Sequence, residues 1–172
     1  MRGQGPCPES RRPPSTPQGA GGTPSGPAAP APCGHCFVPH TADVAFEAWG
    51  PTVPACLEEC VRALAGVFVE RRPASGPGPG PAGEPVHLDP APLEEQLVNL
   101  LEEVIYRVEV SGQVALGAQV EEMAGGGLQV RLETVPVSEV ELIGAVPKAV
   151  AWHQLSVRQQ DGRWVARVTL DV

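Results

Sequence analysis

Two groups of side chains in this sequence are of the type that holds a cation. Cys33-Gly34-His35-Cys36 sets two thiols and an imidazole within four residues, and His40 follows closely. Cysteine sulfur and histidine nitrogen are the usual ligands of tetrahedral zinc, but a structural zinc needs four of them. No second cysteine pair lies at a comparable spacing, so the set is incomplete. The simpler reading is a pair of free thiols at the end of a tail. Carboxylates are the other group. Asp43 opens one β-patterned run and Asp171 closes another. Hard cations take several oxygen ligands, preferably anionic ones. Two aspartates at strand ends are more often solvated, and only sheet pairing could make them converge.

The elements that would position these residues are bounded by composition. The chain has 172 residues and a formal charge of −8. Residues 1–34 hold 9 Pro and 7 Gly with no aromatic residue. Such a stretch cannot bury enough surface to offset its chain entropy, so residues 1–36 are expected to form a disordered tail. The domain is expected to span residues 37–172. Arg2, Arg11 and Arg12 against Glu9 give residues 1–34 a charge of +2, which leaves −10 on the remainder. A surface that acidic repels phosphate, so direct nucleic-acid binding is not expected. It suits a basic partner or a cation. Arg2 is not followed by the apolar run of a signal peptide, and no segment has the length of a membrane span. The expectation is a cytoplasmic protein with no membrane association. Between Pro73 and Pro85, 9 of 13 residues are Pro or Gly. The pieces on either side are too small for independent cores, so this is a flexible loop within one domain.

Periodicity supplies the rest. Alternation over Val44–Trp49 predicts a strand ending at Gly50-Pro51. Leu57, Val61, Leu64, Ala65 and Phe68 recur at three and four, which predicts a helix over Pro54–Val69 with Glu58, Glu59 and Arg62 outward. Cys56 and Cys60, four apart on that helix, read as small core residues. A short strand is expected at Val86–Leu88. Leu93, Leu97, Leu100, Leu101, Val104, Ile105 and Val108 form one stripe of a second helix, Leu93–Glu109, with acidic residues in its first turn. The period then becomes that of strands: Val114–Met123 and Leu128–Val135 flank three glycines, and Val150–Arg158 and Trp164–Leu170 flank Asp161-Gly162, a strong hairpin signal. The order strand, helix, short strand, helix, four strands predicts an α+β fold with two helices packed on one mixed β-sheet. A two-residue turn at Asp161-Gly162 would set Trp152 opposite Asp171 and His153 opposite Leu170. His153 would then face the core, and Lys148, the one lysine of the chain, would share the other face with Asp171. A one-residue slip would reverse those faces.

His40-Thr41-Ala42-Asp43-Val44, Ala48-Trp49-Gly50 and the C-terminal run carry a further signal. That run includes Lys148-Ala149-Val150, Trp152-His153, Arg163 to Val168 and Leu170-Asp171-Val172. In this order and spacing they resemble the archease family, over residues 37–172. The resemblance implies a non-catalytic helper of the GTP-dependent, tRNA-splicing RNA ligase RtcB, promoting formation of the ligase–GMP intermediate and repeated turnover. It also implies a divalent cation, best described as Ca2+, with Mg2+ or Mn2+ as alternatives. Carried onto this sequence, the metal ligands would be Asp43, Asp171 and a main-chain or terminal oxygen of Val172. His40, three residues before Asp43, would be a donor to that carboxylate, unless it is an ordinary hydrogen-bonded histidine at a strand entry. Lys148 would orient Asp171 or meet an acidic or phosphate group of the partner, unless it is an edge lysine that deters strand pairing.

The chain departs from the family at Val146-Pro147, where a Glu-Val pair is usual, and in the 73–85 and 111–117 segments. Proline there confines the position to an edge or loop. Two other function classes are compatible with the residues. One is a small metal-dependent hydrolase, for which no nucleophile or phosphate-binding glycine loop is present. The other is an acidic, chaperone-like interaction module.

Overall fold

The computed structural model describes residues 32–38, 43–70 and 84–172. Most of the N-terminal tail, most of the 73–85 loop and His40 lie outside the described residues. In chain order the elements are β1 (Gly34–Val38), β2 (Val44–Gly50), α1 (Val53–Phe68), β3 (Val69–Glu70), β4 (Val86–Leu88), α2 (Leu93–Ser111), β5 (Gln113–Glu122), β6 (Leu128–Pro136), β7 (Glu141–Leu142), β8 (Ala149–Gln160) and β9 (Arg163–Asp171). A 3-10 turn, Val137–Glu139, precedes β7. The fold is α+β, as the periodicity predicts. Its strands form a four-stranded ladder in the order β1-β2-β9-β8, a three-stranded one in the order β4-β6-β5 and a β3-β7 pair. Each described pairing is antiparallel. None of the described helices is long and apolar enough to cross a membrane.

Local chemistry sets the helix ends. The Thr52 hydroxyl accepts from the Ala55 N–H at 3.3 Å and caps α1, and Pro54 sits in the first turn, where its missing N–H costs nothing. Gly112 ends α2 in the left-handed region, at φ 60°, which glycine adopts without a Cβ penalty. The start of α2 is tied to the β5–β6 turn by Gln96. Its buried amide donates to the carbonyls of Asp89 at 3.1 Å and Gly126 at 2.8 Å.

One core joins the layers. Phe46, Ala48, Ala166, Val168 and Leu170 from the four-stranded ladder meet Leu57, Val61 and Leu64 of α1 and Leu97 and Leu101 of α2. The three-stranded ladder adds Ala118, Val130 and Leu132. Cys56 and Cys60 are fully buried, as expected of small core residues. A hydrogen bond between the two thiols pushes Cys60 up and holds Cys56 down, and burial raises Cys60 further.

Four expectations need correction. The first strand begins at Gly34, inside the stretch read as tail, because it pairs with β2 from Gly34↔Trp49 to Val38↔Ala45. Cys36 is disulfide-bonded, so the reading of free thiols holds for Cys33 alone. Glu59 is not outward: it is 8% exposed and paired with His35 of β1 at 3.1 Å and with Arg62. The hairpin register also breaks. Asp161 and Gly162 take positive φ, as a tight turn of this type requires, and the predicted pairing holds from Gln160↔Arg163 to Ser156↔Arg167. It then shifts, resuming at Ala151↔Thr169 and ending at Ala149↔Asp171. Gln154 adopts the left-handed region within this bulge, at φ 62°. The shift is odd in length, so it exchanges the faces beyond it. Val150 becomes the core residue opposite Leu170, while Trp152 and His153 are exposed.

Candidate functional site at the end of the four-stranded ladder

Asp43 immediately precedes Val44, and Val44 pairs with Leu170, which immediately precedes Asp171. The two aspartates, 128 positions apart in the chain, thus occupy the same end of neighbouring strands. The last β8–β9 pair, Ala149↔Asp171, brings Lys148 to the same end. Its backbone N–H donates to the Asp171 carbonyl at 2.8 Å, and its ammonium donates to an oxygen of Val172 at 3.3 Å. The register that carries Lys148 here is the shifted one. The unbroken hairpin would have left it beyond the end of β9, on the face of Asp171; instead its ammonium engages Val172.

Asp171, Val172 and Lys148 are exposed, whereas Asp43 is half-buried. Asp43 borders a shallow pocket of about 260 Å³ walled by Phe37 and Val38 of β1 and by Gly66 and Val67 near the end of α1. The donor set at this end is carboxylate and carbonyl oxygen, which suits a hard divalent ion and not a thiophilic one. It is also sparse. Among the described residues no group of three or more His, Cys, Asp or Glu side chains could hold a metal ion. Two carboxylates and one Val172 oxygen leave most of the six to eight positions of a Ca2+ ion to water or to a partner. An oxygen that accepts from Lys148 keeps a second lone pair for a cation.

A second polar cluster escaped the sequence reading. Glu59 receives Arg62 on one oxygen and His35 on the other, and Arg62 also lies 3.9 Å from Glu58. Glu58 in turn accepts from the Val120 backbone N–H at 3.0 Å, linking α1 to β5. The signal available in the sequence was the i, i+3 and i, i+4 spacing of Arg62 to these glutamates. What it lacked was β1, which covers that side of α1 and turns an ordinary surface pair into a part-buried one.

Residues 35–172 match the model of the archease protein family (MTH1598/TM1083). The chain is 34% identical over 144 residues to a probable protein archease of Mycobacterium tuberculosis, covering 81% of this chain and 75% of that protein. It is 30% identical over 141 residues to the protein archease of Methanosarcina mazei, covering 79% and 94%. Among solved structures it resembles protein 1598 of Methanobacterium thermoautotrophicum, with a TM-score of 0.59 and 20% identity over 80% of this chain and 98% of that one. It also resembles TM1083 of Thermotoga maritima, described as an archease and possible chaperone, with a TM-score of 0.53 and 18% identity over 78% and 94%. At those identities the structural likeness speaks for the fold. The sequence matches go further: the chain belongs to the archease family.

Proposed function

We propose that this protein is a cofactor of a GTP-dependent RNA ligase of the RtcB type, accelerating guanylylation of the ligase and its turnover in tRNA splicing or RNA repair, and is not itself an enzyme. The observation that carries the reading is the β2–β9 register, which sets Asp43 and Asp171 on adjacent strand ends beside Lys148. Asp43, Asp171 and the Val172 oxygen are the residues that would hold a divalent cation, Ca2+ ahead of Mg2+ or Mn2+, because Ca2+ tolerates a flexible, partly solvated oxygen set. A bound ion would offset the negative charge of the two carboxylates and supply a positive centre at the sheet end. Lys148 ties the last residue down by its ammonium and the end of β9 by its N–H. Those two bonds hold the chain end in one place, so that less order has to be imposed when a partner docks.

The test is ligase guanylylation measured with purified ligase, GTP and a divalent metal. This protein should raise the rate, and Asp43→Ala and Asp171→Ala should each lower the gain by about tenfold or more. Equal rates with and without the protein would remove the proposal. The description of the Thermotoga maritima relative as a possible chaperone supports a second reading, an acidic module that keeps a basic partner folded. In that case the two aspartate variants would still protect the ligase from aggregation and would leave the guanylylation rate per folded ligase unchanged.

A further inference from the structure

The His35–Glu59–Arg62 cluster opens onto a pocket of about 480 Å³ that has no part in the ligase reading. Its apolar wall comes from Phe37, Leu116 and Ile143, and Glu70 lies at its rim. A concave site with an apolar lining and a few convergent polar groups is the usual form of a ligand pocket.

The balance of charge says which ligand. Among the described lining residues, Arg62 is the one cationic side chain that is charged at all physiological pH, and it is shared between Glu58 and Glu59. Glu70 has no ion-pair partner among the described residues. In the β3–β7 pair it lies directly opposite Glu141. Like charges directly opposed across a ladder destabilise it, so this two-residue clasp is held against its own electrostatics. A cation at that position would relieve the conflict. An apolar stem would fit the wall behind it, much as lysine and arginine lay their methylenes along apolar surface.

We propose that this pocket binds an amphipathic organic cation, an ammonium or guanidinium group on a short aliphatic chain. The charge meets Glu70 at the rim, and the chain packs on Phe37, Leu116 and Ile143. Two sources share that chemistry, a free alkylamine and a lysine or arginine side chain of another protein.

The test is titration of the full-length, 15N-labelled protein with n-butylammonium and with N-acetyl-arginine methylamide, using butyrate as the anion of equal length. Both cations should shift the amides of Gly66, Val69, Leu116 and Ile143 saturably, with Kd of about 1 mM, as expected of a ligand so small. Butyrate should not. Glu70→Gln removes an exposed charge, so the fold should hold while the cations bind about tenfold more weakly, the size of one charge-assisted contact. Glu141→Gln should weaken them less. Saturation by the amine alone would assign the site to small molecules, and by the blocked arginine alone to a protein side chain; either supports the inference. Absence of saturable shifts with both cations, equal shifts with butyrate, or unchanged binding in Glu70→Gln would overturn it. None of these results bears on the aspartates at the sheet end.

Discussion

Glu59 of α1 and Asp171 of β9 are both carboxylates, and the fold treats them in opposite ways. Glu59 is buried beneath β1, and the chain itself supplies its partners, the Arg62 counter-charge and the His35 ring. Asp171 stands at the exposed end of β9 with Asp43 at the neighbouring strand end, and the described contacts of Lys148 there go to main-chain oxygens. A buried charge has to be neutralised inside the molecule or the fold suffers. A charge left in water at a strand end, as at Asp171, costs the fold little to keep. The contrast separates a carboxylate that maintains the fold from one on which the fold does not depend.

Four measurements would break or sharpen that contrast. The largest effect is expected at the sheet end, from metal. At a hundredfold excess of Ca2+ over its Kd, linkage should raise the stability of the wild type by about 2.7 kcal/mol, seen as a higher Tm, and chelation should abolish the gain. The same titration on Asp171→Asn should show almost none; an equal gain would move the ion elsewhere. Next is Glu59→Ala, expected to lose about 2 kcal/mol in denaturant unfolding. That is less than a fully buried pair would lose, because Arg62 is one-third exposed and retains Glu58. A loss no larger than that of Asp171→Asn would end the distinction. Third, Gln154→Gly should gain about 0.5–1 kcal/mol, since a non-glycine residue at positive φ carries strain that glycine relieves. The smallest effect is that of Asp171→Asn itself without metal, within about 0.5 kcal/mol of wild type, as for most exposed positions.

Much of the fold was legible because its signals are local. The stripes of α1 and α2, the three-glycine turn and Asp161-Gly162 each declare their element within a dozen residues, and the structure agrees to within one or two positions. What escaped was non-local. No residue in Gly34–Val38 marks it as a strand; it becomes one because β2 offers an edge, and with it Glu59 changes from surface to interior. The β8 bulge was equally silent. Left-handed backbone is usually signalled by glycine or asparagine, and here it falls on glutamine, so the two-residue turn fixed the register only as far as Ser156. Lys148 therefore reached the sheet end by a different register from the one its sequence implied. The juxtaposition of Asp43 with Asp171 was open to no local argument at all. Only the resemblance to a family brought those two residues together before the β2–β9 ladder was known.

The irregularity in β8 has one further consequence. This strand is the last of its ladder, and a straight terminal strand offers a row of donors and acceptors on which another copy of the chain can crystallise as an added strand. A kink at residues 152–155 interrupts that row at its middle, and the Glu94 carboxylate already takes the Val157 N–H at 3.2 Å. Self-templating is thereby discouraged along the flank that a hairpin of ideal geometry would have left open.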